Sequence, residues 1–153
     1  MDVYERLKEL NIELPQPAAP IGLYKPAIQV GNLVYVSGQG NNLDGKFTHV
    51  GKVGADLTLE EGQASARACA INTLAALEAL LGDLNKIKRI VRTFGLVNCT
   101  TEFGQQPKVI NGFSQVMADI WGTDDGIGVR CAVGTNMLPD NIATEVESIF
   151  ELK

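Results

Sequence analysis

The chain has 153 residues, of which 45% are hydrophobic and 20% are charged. These proportions are typical of a folded globular domain and exclude an intrinsically disordered or collagen-like chain, and the length fits one domain. The formal net charge of −5 argues against nucleic acid as a partner unless basic residues are concentrated in one patch.

A short helix is predicted over residues 2–10, where Asp2 is a candidate N-cap for an amphipathic pattern. The following segment, LPQPAAP, contains three prolines, which favour an extended arm. We assign residues 1–17 to this N-terminal helix and arm, and residues 18–153 to the main domain.

Strand signals follow the arm. Residues 27–38, AIQVGNLVYVSG, predict a β-hairpin that turns at Gly31 and Asn32. Residues 39–57 are rich in Gly, Asn and Asp and predict a loop with a short strand near Phe47.

Two helices enclose a strand in the central part of the chain. Thr58 and Glu61 form a T-x-x-E capping box at the start of a helix that ends at Gly82. Residues 87–98 predict a strand, and the apolar spacing over residues 107–121 predicts the second helix.

A Gly/Asp loop, GTDDGIG, and two strands over residues 129–137 and 143–152 are predicted to complete the chain. In the last strand an apolar set alternates with a set that mixes carboxylates and one isoleucine; the second set is Glu145, Glu147, Ile149 and Glu151. Two helices cover only one face of such a sheet. The face that carries the mixed set therefore predicts a subunit interface.

The cysteines and the N-terminus indicate a reducing compartment. Cys69, Cys99 and Cys131 are odd in number and lie far apart, as reduced thiols do in cytoplasmic proteins. We see no signal peptide and no apolar run of the roughly 18–20 residues that a membrane span needs. We therefore expect a cytoplasmic protein that does not enter a membrane.

No metal site is expected, because three scattered cysteines and one histidine, His49, form a poor set of ligands. The G-x-G at Gly38 and Gly40 lacks the third glycine of a nucleotide-binding loop and is not followed by a helix.

Arg130 is the candidate for chemistry, because it begins an otherwise apolar strand and arginine is rarely buried without a partner. Its guanidinium suits a carboxylate. Two partners stay open: an internal carboxylate such as Glu145 or Glu147, or a substrate carboxylate with a nearby glutamate handling a water or a proton. The next residue, Cys131, is predicted to be a core cysteine, since nothing near it in sequence lowers its pKa.

The sequence resembles the RidA/YjgF family of enamine/imine deaminases, long described as L-PSP endoribonucleases. Within this family it resembles the longer-chain subgroup. The resemblance runs over residues 18–152. The matching stretches are APIGLYKPAIQVGNLVYVSGQ, VGADLTLEEGQASARACAINTLAALEALLGDLNKIKRIVRTFGLVN, QPKVINGFSQVMADIWG and VRCAVGTNMLPDNIATEVESIFE.

This resemblance implies an α+β, chorismate-mutase-like fold, in which a mixed sheet is covered on one face by two helices. It implies a homotrimer around a central barrel, with sites between the subunits. It also implies that no metal or organic cofactor takes part.

The implied reaction is hydrolysis of 2-enamine and 2-imino acids, such as 2-aminoacrylate, to 2-keto acids and ammonia. Arg130 would bind the substrate carboxylate and Glu145 would orient the attacking water. The remaining residues that match family site positions are Tyr24, Asn111, Ser37 and, through its backbone carbonyl, Ala132.

Two other functions stay open. One is a non-catalytic trimer that uses Arg130 to bind a keto acid or a similar small carboxylate, as a metabolite sensor does. The other is a ribonuclease, but the acidic charge, the single histidine and the absence of aromatic residues in the basic stretch KIKRIVR argue against it.

Each accompanying residue also has a structural interpretation. Tyr24 would pack at an interface, Asn111 would satisfy backbone groups at a helix start, and Ser37 would form hydrogen bonds at a strand end.

Overall fold

A five-stranded mixed sheet with helices on one face forms the protein, as seen in a computed structural model that describes residues 2–153. Met1, part of the predicted N-terminal segment, lies outside the described residues. The helices are α1 (Val3–Glu9), α2 (Leu59–Leu81) and α3 (Gln106–Gly126). The strands are β1 (Ala27–Val30), β2 (Leu33–Gln39), β3 (Asn42–Leu43), β4 (Lys46–Phe47), β5 (Ile87–Asn98), β6 (Val129–Thr135) and β7 (Thr144–Leu152).

The strand order in the sheet is β1-β2-β7-β5-β6. Strands β5 and β6 are parallel and the other neighbours are antiparallel. A parallel pair needs a long crossover, and α3 supplies it between β5 and β6. This arrangement confirms the predicted α+β class and the predicted hairpin, and the ribbon of β3 and β4 confirms the short strand near Phe47.

Helix α2 is bounded as the sequence predicts. The Thr58 hydroxyl accepts from the Glu61 amide at 3.1 Å, and the Glu61 carboxylate accepts from the Thr58 amide at 2.7 Å. Gly82 ends the helix with φ 71°, a left-handed conformation that glycine adopts at low cost. The helix is long and apolar enough to cross a membrane by composition alone, but 72% of its most apolar window is buried inside the protein, as expected of a core helix.

The core lies between the sheet and helices α2 and α3. Leu74 of α2, Phe113 of α3 and Phe150 of β7 are fully buried there. The helices approach closely at Gly112, because a Cβ at this position would collide with the Gln63 carbonyl. The two helices therefore cover one face of the sheet, as predicted.

The N-terminal helix is part of this core. Val3, Leu7 and Ile12 are buried in the same apolar cluster as the sheet. The Tyr4 hydroxyl donates to Glu78 at 2.6 Å and accepts from the Leu84 amide at 2.9 Å. These contacts fix α1 to the main domain.

Two sequence predictions were wrong at the ends of elements. Residues 123–126, predicted as loop, form one more helical turn after Gly122, whose φ of 76° and ψ of 179° interrupt α3. Strand β6 ends at Thr135 and not at residue 137, because its neighbour β5 ends opposite Thr135 at Asn98 and no further ladder partner follows.

The face of the sheet away from the helices, here called the open face, is uncovered in the protomer. It carries apolar and charged side chains together: Ile28, Tyr35, Arg92, Phe94, Val129, Cys131, Glu147 and Ile149. The prediction that Cys131 belongs to the core was wrong. Alternation along β6 places Cys131 on the open face, where it is exposed.

Candidate functional site

Arg130 is held by three acceptors of helix α3, and together these residues form what we call the arginine half of the site. Its guanidinium donates to Asn111 Oδ1 at 2.8 Å, to Ser114 Oγ at 3.1 Å and to the Pro107 carbonyl at 3.2 Å. Pro107, Asn111 and Ser114 lie on one face of α3, because residues three and four apart share a helix face.

The close approach of α3 to the sheet brings these acceptors to Arg130. On β5, a Cβ at Gly95 would lie 2.5 Å from Ile110 Cγ1. Glycine at this position leaves room for the Ile110 side chain, and α3 can lie against the strand that neighbours β6.

Arg130 makes no salt bridge within residues 2–153, where Glu147 instead pairs with Arg92 at 3.5 Å. The internal salt bridge considered from the sequence is therefore absent in the protomer. The acceptors that hold Arg130 are all neutral, so its positive charge has no counter-ion. An exposed arginine with its plane fixed by neutral groups is suited to a ligand carboxylate.

Glu145 of β7 lies in a separate pocket of about 180 Å³, which we call the glutamate half of the site. Tyr24, Gly38 and Asp140 also line this pocket. Burial raises the pKa of the Glu145 carboxyl above its ordinary value, and the negative charge of Glu147 raises it further. Neither a hydrogen bond nor an ion pair from residues 2–153 opposes this shift.

Gly38 makes the position of Glu145 possible. A Cβ at Gly38 would lie 2.9 Å from Glu145 Oε2 and 3.0 Å from its Cδ. The pairing of β2 with β7 is irregular between Val36 and Gln39, and the Glu145 side chain lies against this irregular segment. Glycine at position 38 therefore leaves the carboxylate its space.

Ser37 ties the extended arm to the end of β2. Its hydroxyl donates to the Lys25 carbonyl at 2.6 Å, and its amide donates to the Pro26 carbonyl at 2.8 Å. These bonds place Tyr24 at the glutamate pocket with its side chain half exposed. The structural interpretation of Ser37 as a hydrogen-bonding residue at a strand end matches these contacts.

One protomer does not bring the two halves together. Arg130 pairs with Thr93, which is buried under the helices, so Arg130 is on the helix-covered face of the sheet. Glu145 lies between the buried residues Thr144 and Val146, so it is on the open face. The two strands β6 and β7 are separated by β5, which places them about 10 Å apart. Arg130 and Glu145 of one chain therefore cannot hold the same water molecule.

The predicted site residues divide between these halves. Asn111 and Ala132 lie with Arg130, Asn111 as an acceptor and Ala132 as a half-buried residue of β6. Tyr24 and Ser37 lie with Glu145. Asn111 is well inside α3 and not at its N-cap, which is Gln105, so it does not serve as a helix-start residue.

Sequence reasoning missed Ser114 and the Pro107 carbonyl as partners of Arg130. A signal was present, since Ser114 follows Asn111 by three residues on a predicted helix and must share its face. The role of Gly38 had no comparable signal, because it depends on which strand lies beside β2.

Other nucleophiles and metal ligands do not form a second centre. Burial raises the pKa of the Cys69 thiol to about 12, which keeps it protonated at neutral pH. The His49 ring contacts the hydroxyl of its neighbour Thr48 at 3.1 Å. In the part of the chain described, residues 2–153, no three His, Cys, Asp or Glu side chains are grouped to hold a metal ion.

Comparison with known proteins places this geometry in a family. A family model described as "YjgF/chorismate mutase-like, putative endoribonuclease" matches residues 4–151. The chain is also similar to Protein TCP17 of Trypanosoma cruzi, with 41% identity over 152 residues, 98% of this chain and 94% of the relative.

Two solved structures are similar over nearly the whole chain. The protein Atu1372 of Agrobacterium tumefaciens, described as having unknown function, has a TM-score of 0.91 and 41% identity over 99% of this chain and 92% of its own. A Shewanella oneidensis protein that bears the endoribonuclease description has a TM-score of 0.95 and 34% identity over 99% of this chain and 100% of its own.

Proposed function

The chain belongs to the YjgF/chorismate mutase-like family, and from this premise we propose that it is an enamine/imine deaminase, which hydrolyses 2-imino acids to 2-keto acids and ammonia. The observation that carries the proposal is Arg130. It is oriented by three neutral acceptors, lacks a counter-ion within residues 2–153, and lines a cleft.

The proposal includes a homotrimer in which the arginine half of one copy faces the glutamate half of the next. The open face supports assembly, because it exposes apolar side chains such as Ile28, Tyr35 and Val129 beside the paired Arg92 and Glu147. A second copy would bury these groups, and contacts between unlike surfaces close into a ring when the rotation allows it.

Charge supports the same pairing of halves. Arg130 is a cation without a counter-ion among residues 2–153, and Glu145 is a carboxyl group whose pKa is raised by burial and by the negative charge of Glu147. Bringing them to one substrate places a positive charge at the carboxylate and a proton acceptor at the reacting carbon.

In the proposed reaction Arg130 binds the carboxylate of the iminium acid, and the Ala132 carbonyl accepts from its N–H. Glu145 takes a proton from a water as the water oxygen bonds to C2, which gives a carbinolamine. Glu145 then returns this proton to the nitrogen. The C–N bond breaks, the C2 hydroxyl gives its proton to Glu145 as the carbonyl forms, and the released ammonia takes that proton and leaves as the ammonium ion.

Most of the work asked of the protein in this reaction is positioning. An iminium carbon is already electrophilic, so holding the carboxylate and the water in the correct geometry lowers the barrier. Asn111 and Ser114 keep the Arg130 guanidinium in its plane. Tyr24 narrows the mouth of the glutamate pocket and limits the access of competing nucleophiles.

Cleavage of RNA receives less support from the charge distribution. Three of the four basic residues of the KIKRIVR stretch are paired with carboxylates: Lys88 and Arg89 with Glu151 at 3.7 and 3.1 Å, and Arg92 with Glu147 at 3.5 Å. A basic patch neutralised in this way attracts a phosphate backbone weakly.

A coupled assay tests the proposal. A serine dehydratase generates 2-aminoacrylate, and pyruvate release is followed against trapping by semicarbazide, with and without the protein. We expect the wild type to accelerate pyruvate release. Arg130→Ala should lose about 10- to 150-fold in kcat/KM, since a charge-assisted hydrogen bond contributes about 1.5–3 kcal/mol.

Arg67→Ala is the matched control, because Arg67 is an exposed arginine on α2 outside both halves. It should keep wild-type activity. A folded wild type that does not accelerate pyruvate release would contradict the deaminase, and calorimetric titration with pyruvate would then test the alternative of a carboxylate sensor.

A further inference from the structure

The cleft beside Arg130, here called the arginine cleft, is much larger than the glutamate pocket. Its volume is about 460 Å³, against about 180 Å³ for the pocket around Glu145. Cavities of about 300–1,000 Å³ hold ligands of drug size. The arginine cleft therefore has room for more than the carboxylate that Arg130 would bind.

The lining of the arginine cleft is neutral except for Arg130. Four apolar residues line it: Ile90, Met117, Ala118 and Ile127. The polar lining residues other than Arg130 are uncharged: Thr93, Asn111, Ser114 and Gln115. Such a surface favours an uncharged chain with an apolar stem, since a charged group would lose its hydration there without a partner.

Two glycines shape the outer wall of the cleft. A Cβ at Gly128 would lie 2.5 Å from the Val91 carbonyl, and one at Gly126 would collide with the Met117 carbonyl. The chain can therefore run tightly between α3 and β5 at these positions. Ile127 lies between them, lines the cleft and is 55% exposed. It therefore offers apolar surface to a ligand in the cleft.

We propose that the arginine cleft binds the side chain of the substrate, so that the protein prefers 2-imino acids with an extended neutral side chain over 2-aminoacrylate. This inference rests on the proposed deaminase function and assigns its specificity. The carboxylate and the side chain are both attached to C2 of the substrate. The first side-chain carbon of a substrate bound at Arg130 therefore lies two bonds from the carboxylate carbon, at the entrance of the cleft.

The expected preference follows from apolar burial. Burying one methylene corresponds to roughly a fourfold gain in affinity or kcat/KM. The arginine cleft is open along one side, so the gain per methylene is smaller than for full burial. For three additional methylenes we expect kcat/KM to rise by about tenfold.

A series of imino acids of increasing length tests the inference. D-amino-acid oxidase with catalase generates the 2-imino acids of alanine, norvaline and norleucine, and the loss of semicarbazide-trappable imine is measured with the full chain. We expect kcat/KM to rise along the series by about tenfold. Equal values for the alanine-derived and norleucine-derived imines would overturn the inference while leaving the deaminase function standing.

Filling each cavity in turn locates the side chain. Ala118→Leu fills the arginine cleft and should remove the advantage of the norleucine-derived imine over the alanine-derived one. Ala19→Leu narrows the glutamate pocket, which Ala19 lines. It should leave unchanged the ratio of kcat/KM for the norleucine-derived imine to kcat/KM for the alanine-derived imine. Loss of the ratio in Ala19→Leu and not in Ala118→Leu would overturn the assignment to the arginine cleft.

Two further variants separate specificity from folding. Ala64→Leu makes the same change at an exposed position of α2 and should keep the ratio. Ile127→Ala removes part of the exposed wall and should lower the ratio by about two- to fourfold, even if Ala118→Leu folds poorly.

Should neither imine turn over, the proposed function fails but the cleft can still be tested by binding. Calorimetry then compares 2-oxohexanoate with pyruvate in the wild type and in Ile127→Ala. Tighter binding of the longer acid, reduced in the variant, supports the cleft assignment, and equal binding overturns it.

Discussion

The arginine half and the glutamate half of the site differ in how their charged groups are held. Arg130 is exposed and donates hydrogen bonds to three acceptors on one face of α3. Glu145 is half-buried, and the shift of its pKa has burial and a like charge as its causes. The first charge is oriented without being neutralised, and the second is destabilised without being paired.

This difference indicates that each half positions its charged group but supplies no opposite charge to it. A buried carboxyl group without a partner costs free energy, and an arginine without a counter-ion is available to bind an anion. Both conditions are typical of functional groups in a site without its ligand. Because the halves leave opposite faces of one sheet, the homotrimer that we propose would join them from two copies of the chain.

The largest expected effect comes from mixing two impaired variants. Arg130→Ala and Glu145→Gln should each have strongly reduced activity as homotrimers. Co-expressed with different tags and purified as mixed assemblies, they should recover about one third of wild-type activity, because in the proposed trimer each mixed assembly would have one site of three with both an intact arginine and an intact glutamate.

Activity measured in the mixed assemblies decides this prediction. Mixed assemblies with activity as low as that of the two parents, at wild-type size in light scattering, would mean that the two halves do not act on one substrate. A mixture of Arg130→Ala with Asn111→Ala is the control, since both changes affect the arginine half and no intact site forms.

Gly38→Ala should disturb the glutamate half and leave the arginine half intact. The new Cβ would push the Glu145 carboxylate away from its present position, and a displacement of about 1 Å at a catalytic group can cost about 10²-fold. We expect kcat to fall by about 10- to 100-fold with a smaller change in KM. Steady-state kinetics measure both.

Gly104→Ala is the matched control, because no atom lies within 4 Å of a Cβ at Gly104. It should keep wild-type kinetics. Unchanged kcat in Gly38→Ala would show that the space opposite Glu145 has no functional role.

Ser114→Ala should weaken the orientation of Arg130 by one hydrogen bond of three. A hydrogen bond of this kind contributes about 0.5–1.5 kcal/mol, so kcat/KM should fall by about two- to tenfold, mainly through KM. Ser114→Thr keeps the hydroxyl and should restore activity. A variant that loses kcat alone would place Ser114 in another role.

The smallest expected effect is a shift in pH dependence. Glu147 raises the pKa of Glu145, and Glu145 must be ionised to accept a proton from water. Activity should therefore be lost as pH falls through this raised pKa. Glu147→Gln removes the like charge, lowers the pKa of Glu145 and extends activity to lower pH.

The pH profile of kcat/KM measures this shift. A profile displaced toward higher pH would contradict the assignment of Glu145 as the base. Thermal unfolding tests the same pKa shift of Glu145. A raised carboxyl pKa in the folded state means stability that is present at low pH and is lost as pH rises through that value, so Glu145→Gln should stabilise the protein at neutral pH.

Local patterns in the sequence predicted most of the fold. The capping box at Thr58, the Gly82 stop and the Gly31-Asn32 turn each act over a few residues, so their effects are visible without tertiary structure. The predictions failed where the outcome depends on a distant partner. Strand β6 ends where β5 ends, and Cys131 is exposed because no helix covers its face.

The sequence by itself determined the element order, the position of Arg130 at the start of an apolar strand and the mixed composition of the open face. These follow from residue types and from periodicities of two and 3.6 residues. The tertiary structure alone decided that Arg130 finds neutral acceptors and no glutamate, that Gly38 lies against Glu145, and that a neutral cleft adjoins Arg130. Those facts depend on which elements pack together, because contacts between distant segments are set by the strand order and the helix crossover.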